Sequence, residues 1–152
     1  MDIISALAVS IGLLGGIAAW LFLGPLGGLG LSVWAAFIAW ASFYHCGGKE
    51  AGLQKTIVNN VFGAIIGWIA LMLVTQLPFG ASLGVPLWAG IVVAITVCVL
   101  VIAAKIPALS DIPAGVFGFA SVVAFALAGG KLSAVTAASL ASLTNLTRSP
   151  TP

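Results

Sequence analysis

Long apolar runs dominate this sequence and limit the folds that it can adopt. Five of them approach the roughly 20 residues that a helix needs to cross a bilayer. They cover Ile3–Leu23, Leu29–Tyr44, Thr56–Leu77, Leu87–Ala104 and Ile112–Ala128, and a shorter sixth run, rich in Ser, Thr and Ala, covers Leu132–Leu146. The runs are continuous, whereas the strands of a membrane barrel alternate between apolar and polar residues. The sequence therefore predicts an all-α, polytopic membrane bundle.

The composition supports this class and excludes others. Hydrophobic residues make up 62% of the chain and charged residues 5%, which is more apolar surface than a soluble domain can bury. The five basic and three acidic residues are spread along the chain, so we expect no nucleic acid partner. The expected partner is the lipid bilayer.

The positions of the basic residues predict how the chain is oriented. The first apolar run follows Asp2 rather than a basic segment and is longer than the apolar part of a signal peptide, so we interpret it as a retained span. Short basic loops tend to stay in the cytoplasm. With a cytoplasmic N-terminus, four of the five basic residues are inside: Lys49, Lys55, Lys105 and Arg148. We therefore expect a multi-pass protein whose N-terminus is cytoplasmic.

A weak internal repeat relates the two halves of the sequence. Residues 37–42 and 47–49 align with residues 116–121 and 129–131. A unit of three helices would therefore occur twice, and an odd number of spans makes the second copy enter from the opposite side. Such inverted repeats are common in secondary transporters, with the solute site at the repeat interface. The alternative is chance similarity between glycine-rich strings.

On this hypothesis the chain is one transmembrane domain, residues 1–152, with repeat halves 1–80 and 81–148. Six helices would form a 3+3 inverted repeat. The hypothesis requires the short sixth run, residues 132–146, to cross the membrane.

The third apolar run carries the most informative polar residues. Thr56, Asn59 or Asn60, Gly63 and Gly67 recur at intervals of three and four, which places them on one face of a helix. Such a face must point into the bundle. Its amides could line a path for a small polar solute, or they could hold helices together, as polar residues commonly do in membrane bundles.

Asp111 lies between Pro107 and Pro113, which interrupt any continuous helix. Ser110 or Asp111 could cap the next helix, or the broken segment could line a cavity. The two aligned repeat segments each contribute one serine to the candidate site, Ser42 and Ser121. The candidate solute path then consists of Asn59, Asn60, Thr56, Gln54, Asp111, Ser42 and Ser121.

His45 is the only histidine, and Cys46 follows it. An imidazole at a span end could sense pH or relay a proton, or it could simply be solvated among the lipid headgroups. One histidine and one cysteine are too few ligands for a metal site, so we expect neither a metal nor a cofactor. Known catalytic motifs are lacking and the chain has only three carboxylates, so we expect no enzyme.

Four segments carry a resemblance to a known family: residues 37–44, 47–48, 60–63 and 112–120. With them the chain resembles the family catalogued as domain of unknown function 1097, which consists of small bacterial inner-membrane proteins. The resemblance implies a bacterial plasma-membrane location and a helical architecture, and it supplies no catalytic or binding residues. The polar C-terminal tail, residues 147–152, departs from the family pattern.

The sequence thus predicts a membrane channel or facilitator for a small polar, uncharged solute. Few charges argue against a proton-coupled pump, which usually needs carboxylates or histidines within the membrane. The alternative is a scaffold or accessory subunit of a larger complex that transports nothing. We also expect a homo-oligomer, with Gly12 and Gly16 on the first span as one possible contact.

Overall fold

The structure, a computed structural model, describes residues 2–26 and 32–127. This part of the chain contains six α-helices and no strand, which confirms the all-α class. The helices are α1 (Ile3–Leu23), α2 (Val33–His45), α3 (Lys49–Gln76), α4 (Phe79–Leu83), α5 (Val85–Ala103) and α6 (Ile112–Leu127). A short 3-10 turn, Pro107–Leu109, connects α5 to α6.

The largest differences from the expected spans are at the starts of α2 and α3. α2 begins only after Ser32, whose hydroxyl accepts a hydrogen bond from the backbone N–H of Ala35. α3 begins at Lys49, seven residues before the apolar run, so Gln54 and Lys55 are helical. The reversal between α2 and α3 is tight, because Gly47 and Gly48 both adopt positive φ angles, at 92° and 65°, which glycine allows without strain.

Three of the described helices are long and apolar enough to cross a membrane: Ile4–Leu23, Lys49–Gln76 and Val85–Ala103. α6 is apolar but shorter, and the 13 residues of α2 extend only about 20 Å. Many large apolar side chains are exposed on the outside of the bundle. These are the properties of a membrane protein. The sixth predicted span, residues 132–146, lies outside the described residues, so the 3+3 repeat stays a prediction.

Glycines bring α3 and α6 into backbone contact. A Cβ added at Gly63 would collide with the carbonyl oxygen of Gly115, and one added at Gly118 would collide with that of Asn60. One turn further along α3, a Cβ at Gly67 would lie 2.9 Å from the carbonyl oxygen of Phe119. Small residues allow membrane helices to approach this closely. The α3–α6 pair is therefore the centre of the described bundle.

The other helices are arranged around this pair. α5 packs beside it through Val92 and Leu100, which belong to one core cluster with Ala70 and Phe119. α2 packs against α6 and α3. α1 is peripheral and contacts α2, where a Cβ added at Gly15 would lie 3.2 Å from the Phe37 ring.

The α2–α3 and α5–α6 connections lie at one end of the described bundle, and the α3–α5 connection lies at the opposite end. At one end, the α2–α3 turn meets the α5–α6 connection, where the Cys46 thiol contacts the Asp111 carboxylate. We call this the lysine end, because Lys49, Lys55 and Lys105 belong to the helix ends that meet there. At the other end, the indole of Trp88 donates a hydrogen bond to the carbonyl oxygen of Leu73.

Candidate functional site

Asp111 directly precedes the helix α6 at the lysine end. Its Oδ1 atom accepts a hydrogen bond of 3.1 Å from the backbone N–H of Ala114, which is the geometry of a helix N-cap. Only 8% of the side chain is exposed. The structure therefore shows that Asp111 caps α6.

Three side chains from other segments converge on the same carboxylate. The Lys55 ammonium of α3 lies 3.0 Å from Oδ2, and His45 Nε2, from the end of α2, lies 3.4 Å from Oδ1. The Cys46 thiol donates a weak hydrogen bond of 3.6 Å to Oδ2. Asp111 thus joins the α2–α3 turn, α3 and α6 at one point.

These contacts determine the ionisation of Asp111. Burial raises the pKa of its carboxyl. Hydrogen bonds from Lys55 and from the Ala114 backbone lower the pKa, as does the positive charge of Lys55, and together they outweigh the effect of burial. The net effect is a pKa below the ordinary value of 3.8. The carboxylate is therefore ionised at neutral pH, and its hydrogen bonds are charge-assisted.

A second set of hydrogen bonds continues from Lys55 into the bundle. The Asn59 amide donates to the carbonyl oxygens of Lys55, at 2.9 Å, and of Ala108 in the 3-10 turn, at 3.3 Å. Because Asn59 is only 1% exposed, these bonds replace contacts with water. Asn59 thereby ties α3 to the α5–α6 connection.

Two further hydrogen bonds join α3 to α2. Thr56 donates through its hydroxyl to the carbonyl oxygen of Ser42, at 3.3 Å, and the Ser42 hydroxyl donates to Oδ1 of Asn60, at 3.2 Å. Ser42 is fully buried. We call the whole set the polar cluster. It comprises Ser42, His45, Cys46, Lys55, Thr56, Asn59, Asn60 and Asp111.

A surface pocket opens beside the polar cluster. Its volume is about 320 Å³, and its lining is formed by Ala51, Gln54, Lys55, Val58, Pro107 and Ala108. We call it the Lys55 pocket. Because Lys55 and Ala108 also contact members of the polar cluster, the pocket adjoins the buried hydrogen bonds.

Two cavities lie elsewhere in the described bundle. One, of about 470 Å³ between α1, α2 and α6, is lined mainly by apolar side chains and by none of the predicted site residues. The other, of about 90 Å³, includes Ser121 in its lining.

The structure thus brings together most of the predicted site residues. Five of the seven belong to the polar cluster, and Gln54 lines the adjoining pocket. Ser121 lies apart from the cluster and donates to the carbonyl oxygen of Phe117 within its own helix. The predicted correspondence of Ser121 with Ser42 therefore does not bring the two serines into one site.

The sequence model of one protein family, described as "Protein of unknown function (DUF1097)", matches residues 8–146. The chain belongs to this family. The resemblance found in the sequence is thereby confirmed. No curated protein and no solved structure matches the chain.

For this DUF1097 protein, sequence reasoning did not assign Lys55, His45 and Cys46 to the site. His45 is half exposed, yet it contacts Asp111 and meets the ring of Phe117 edge-on. A buried carboxylate needs a cation nearby. In a chain with so few charged residues, this requirement limits the possible partners of Asp111 to a few lysines. That requirement would have suggested Lys55 as a partner.

Metal binding has no geometric support at this site. His45 and Cys46 both contact Asp111, but within residues 2–26 and 32–127 no three His, Cys, Asp or Glu side chains are placed to hold a metal ion.

Proposed function

We propose that the protein is a membrane facilitator for a small polar, uncharged solute. The observation that carries this proposal is the polar cluster, which lies between helices with an apolar exterior and adjoins the open Lys55 pocket. A solute would enter at this pocket and pass along Asn59, Thr56 and the Ser42–Asn60 pair.

The chemistry of the cluster suits a neutral solute. Amides and hydroxyls both donate and accept hydrogen bonds, so they can exchange their mutual bonds for bonds to a solute as it passes. Asp111 is paired with Lys55 at 3.0 Å. The side chains proposed to line the path beyond the pocket are amides and hydroxyls without charge, so they do not favour an ion over a neutral solute. On this proposal, the hydrogen bond between Ser42 and Asn60 would have to open for a solute to pass.

One observation favours the rival function of a scaffold or accessory subunit. Every buried polar side-chain atom in the described part of the chain has a hydrogen-bond partner. Hydrogen bonds that are all made within the bundle are what helix assembly alone requires. The two functions differ in whether removing a cluster amide affects solute flux.

Flux measurements in proteoliposomes separate the two functions. The wild-type chain and the variants Asn60→Leu and Ser121→Ala are compared for the uptake of glycerol, urea and similar small neutral solutes. We expect flux through the wild type, retained flux through Ser121→Ala, which removes a hydroxyl outside the cluster, and loss of flux in Asn60→Leu. Absence of flux for every solute tested with the folded wild type would contradict the proposal and favour the accessory subunit.

The proposed location is the bacterial inner membrane, with the N-terminus and the lysine end in the cytoplasm. This orientation is supported by the lysines that meet at that end. A membrane-impermeant thiol reagent tests it on a Cys98→Ser variant, in which only Cys46 remains. Labelling in inverted vesicles but not in intact cells is expected, and the reverse pattern would contradict the orientation.

We further propose that copies of the chain associate through α1. A Cβ added at Gly12 or Gly16 would meet nothing within 4 Å, so this face is open to a neighbour. Cross-linking of wild type and of a Gly12→Leu, Gly16→Leu double variant in the membrane tests the association. Equal cross-linking of the two proteins would contradict a contact at these glycines.

A further inference from the structure

The Lys55 pocket lies at the head of an exposed stripe on α3. Intervals of four and three residues place the members of this stripe on one helical face. The stripe consists of Gln54, Val58, Val61, Ile65 and Trp68. Its four apolar members are all exposed in the described bundle. One surface therefore begins with polar donors at the lysine end and continues as an apolar track.

The dimensions of this surface match one leaflet of a bilayer. From Val58 to Trp68 the helix rises about 15 Å, which is half of a hydrocarbon core of about 30 Å. An acyl chain can therefore lie along the apolar track while its headgroup is level with Gln54 and Lys55. A soluble ion would use only the polar end of the surface.

The polar end provides hydrogen-bond donors for an anion. An ammonium group has three N–H donors, and the Lys55 ammonium, 44% exposed, uses one of them for Asp111. Gln54 is exposed in the same pocket and offers its amide N–H groups. Pro107 also lines the pocket.

The nearby carboxylate does not repel an anion strongly. Asp111 is buried, and its two oxygens accept hydrogen bonds or ion pairs from Lys55, His45, Cys46 and the Ala114 backbone. Lys49, Lys105 and Glu50 also belong to this end, where the three lysines outnumber the two carboxylates. The field at the pocket entrance therefore favours negative charge.

We propose that the Lys55 pocket binds the phosphate headgroup of an anionic phospholipid, whose acyl chain lies along Val58, Val61 and Ile65. The pocket and the track together form the lipid site. This proposal does not depend on solute transport, since a lipid can occupy the surface of an accessory subunit equally well. In a facilitator, a bound headgroup would have to leave the pocket before a solute enters.

Lipid binding to the purified full chain in detergent tests the proposal. The probes are phosphatidylglycerol, phosphatidylcholine and soluble glycerol 3-phosphate, and apparent Kd values are measured by native mass spectrometry. We expect phosphatidylglycerol to bind at least about fivefold more tightly than phosphatidylcholine, the effect typical of one basic group near a membrane surface. Glycerol 3-phosphate, which lacks acyl chains, is expected to compete only weakly.

Two variants with the same change in charge distinguish lipid binding at the pocket from attraction to the positive surface in general. Gln54→Glu adds one negative charge inside the pocket, and Lys105→Gln removes one positive charge outside it. Gln54→Glu should weaken phosphatidylglycerol binding about fivefold or more, whereas Lys105→Gln should change it less than about twofold. Ala51→Phe, which fills the pocket without altering charge, should weaken binding as well.

Three results would overturn the proposal. Equal affinity for phosphatidylglycerol and phosphatidylcholine would show that the pocket does not select an anion. Competition by glycerol 3-phosphate at the affinity of the lipid would identify a site for a soluble anion. Equal loss of binding in Gln54→Glu and Lys105→Gln would indicate diffuse surface charge rather than a pocket.

Discussion

Replacement of Gly118 by alanine tests the backbone contact between α3 and α6. The added Cβ would collide with the carbonyl oxygen of Asn60 and would lie 2.8 Å from its Cα. Both are backbone atoms, so no side chain can rotate out of the way. The two helices would have to separate, and the contact of Gly63 with Gly115 on the same interface would be lost with them.

Two opposing terms determine the magnitude. Alanine is favoured over glycine in a helix by about 1 kcal/mol, while overpacking of a close contact costs about 1–3 kcal/mol. Because the opposing atoms are rigid backbone and the interface is shared with Gly63, we expect Gly118→Ala to cost about 3 kcal/mol, the upper end of that range. We therefore expect a net loss of about 2 kcal/mol, which corresponds to a fall in Tm of about 4–8 °C for a chain of this size.

Gly90→Ala is the matched control on α5. A Cβ at this position would meet nothing within 4 Å, so only the helix preference remains, and Tm should stay constant or rise by about 2–4 °C. Both variants are unfolded thermally in detergent and followed by circular dichroism. If Gly118→Ala and Gly90→Ala shift Tm in the same direction and by similar amounts, the argument for a backbone contact is wrong.

Three further predictions concern the polar cluster. Because the pKa of Asp111 is lowered, its carboxylate stabilises the folded state above about pH 3.8, and this contribution is lost as pH falls through the lowered pKa. Tm should therefore fall more steeply on acidification in the wild type than in Asp111→Asn. Lys55→Met should destabilise the protein more than Asp111→Asn, because it leaves a buried carboxylate without its nearest cation, whereas asparagine still caps α6. Asn59→Leu should cost about 0.5–1.5 kcal/mol in unfolding experiments, since it removes the hydrogen bond from the amide to the carbonyl oxygen of Ala108.

Each of these predictions has a contrary outcome. Parallel Tm curves for wild type and Asp111→Asn from pH 7 down to about pH 2 would mean that the carboxylate does not contribute to stability. A larger loss in Asp111→Asn than in Lys55→Met would mean that burial of the carboxylate has been overestimated. An Asn59→Leu variant as stable as the wild type would mean that the hydrogen bond to Ala108 does not contribute to stability. Ser121→Ala is the control for removing a polar group outside the cluster.

The helices themselves follow from local sequence. α1 begins and ends where the apolar run does, since Asp2 caps its first turn and Gly24 follows its last residue. The polar face of α3 was predicted from spacing alone, because residues three and four apart share a face of any helix. The start of α3 was not predicted, since the charged and polar residues from Lys49 to Lys55 interrupt the apolar run without interrupting the helix.

Partners across the bundle could be found only in the tertiary structure. Asp111 and Lys55 are 56 residues apart in the sequence, and their ion pair of 3.0 Å exists because Gly63 and Gly118 allow α3 and α6 to touch. The same contact brings Asn59 to the 3-10 turn. Local composition determines which segments become helices and which faces are polar, because these depend on residues a few positions apart. Which polar groups meet depends on how closely two backbones approach, and packing alone decides that.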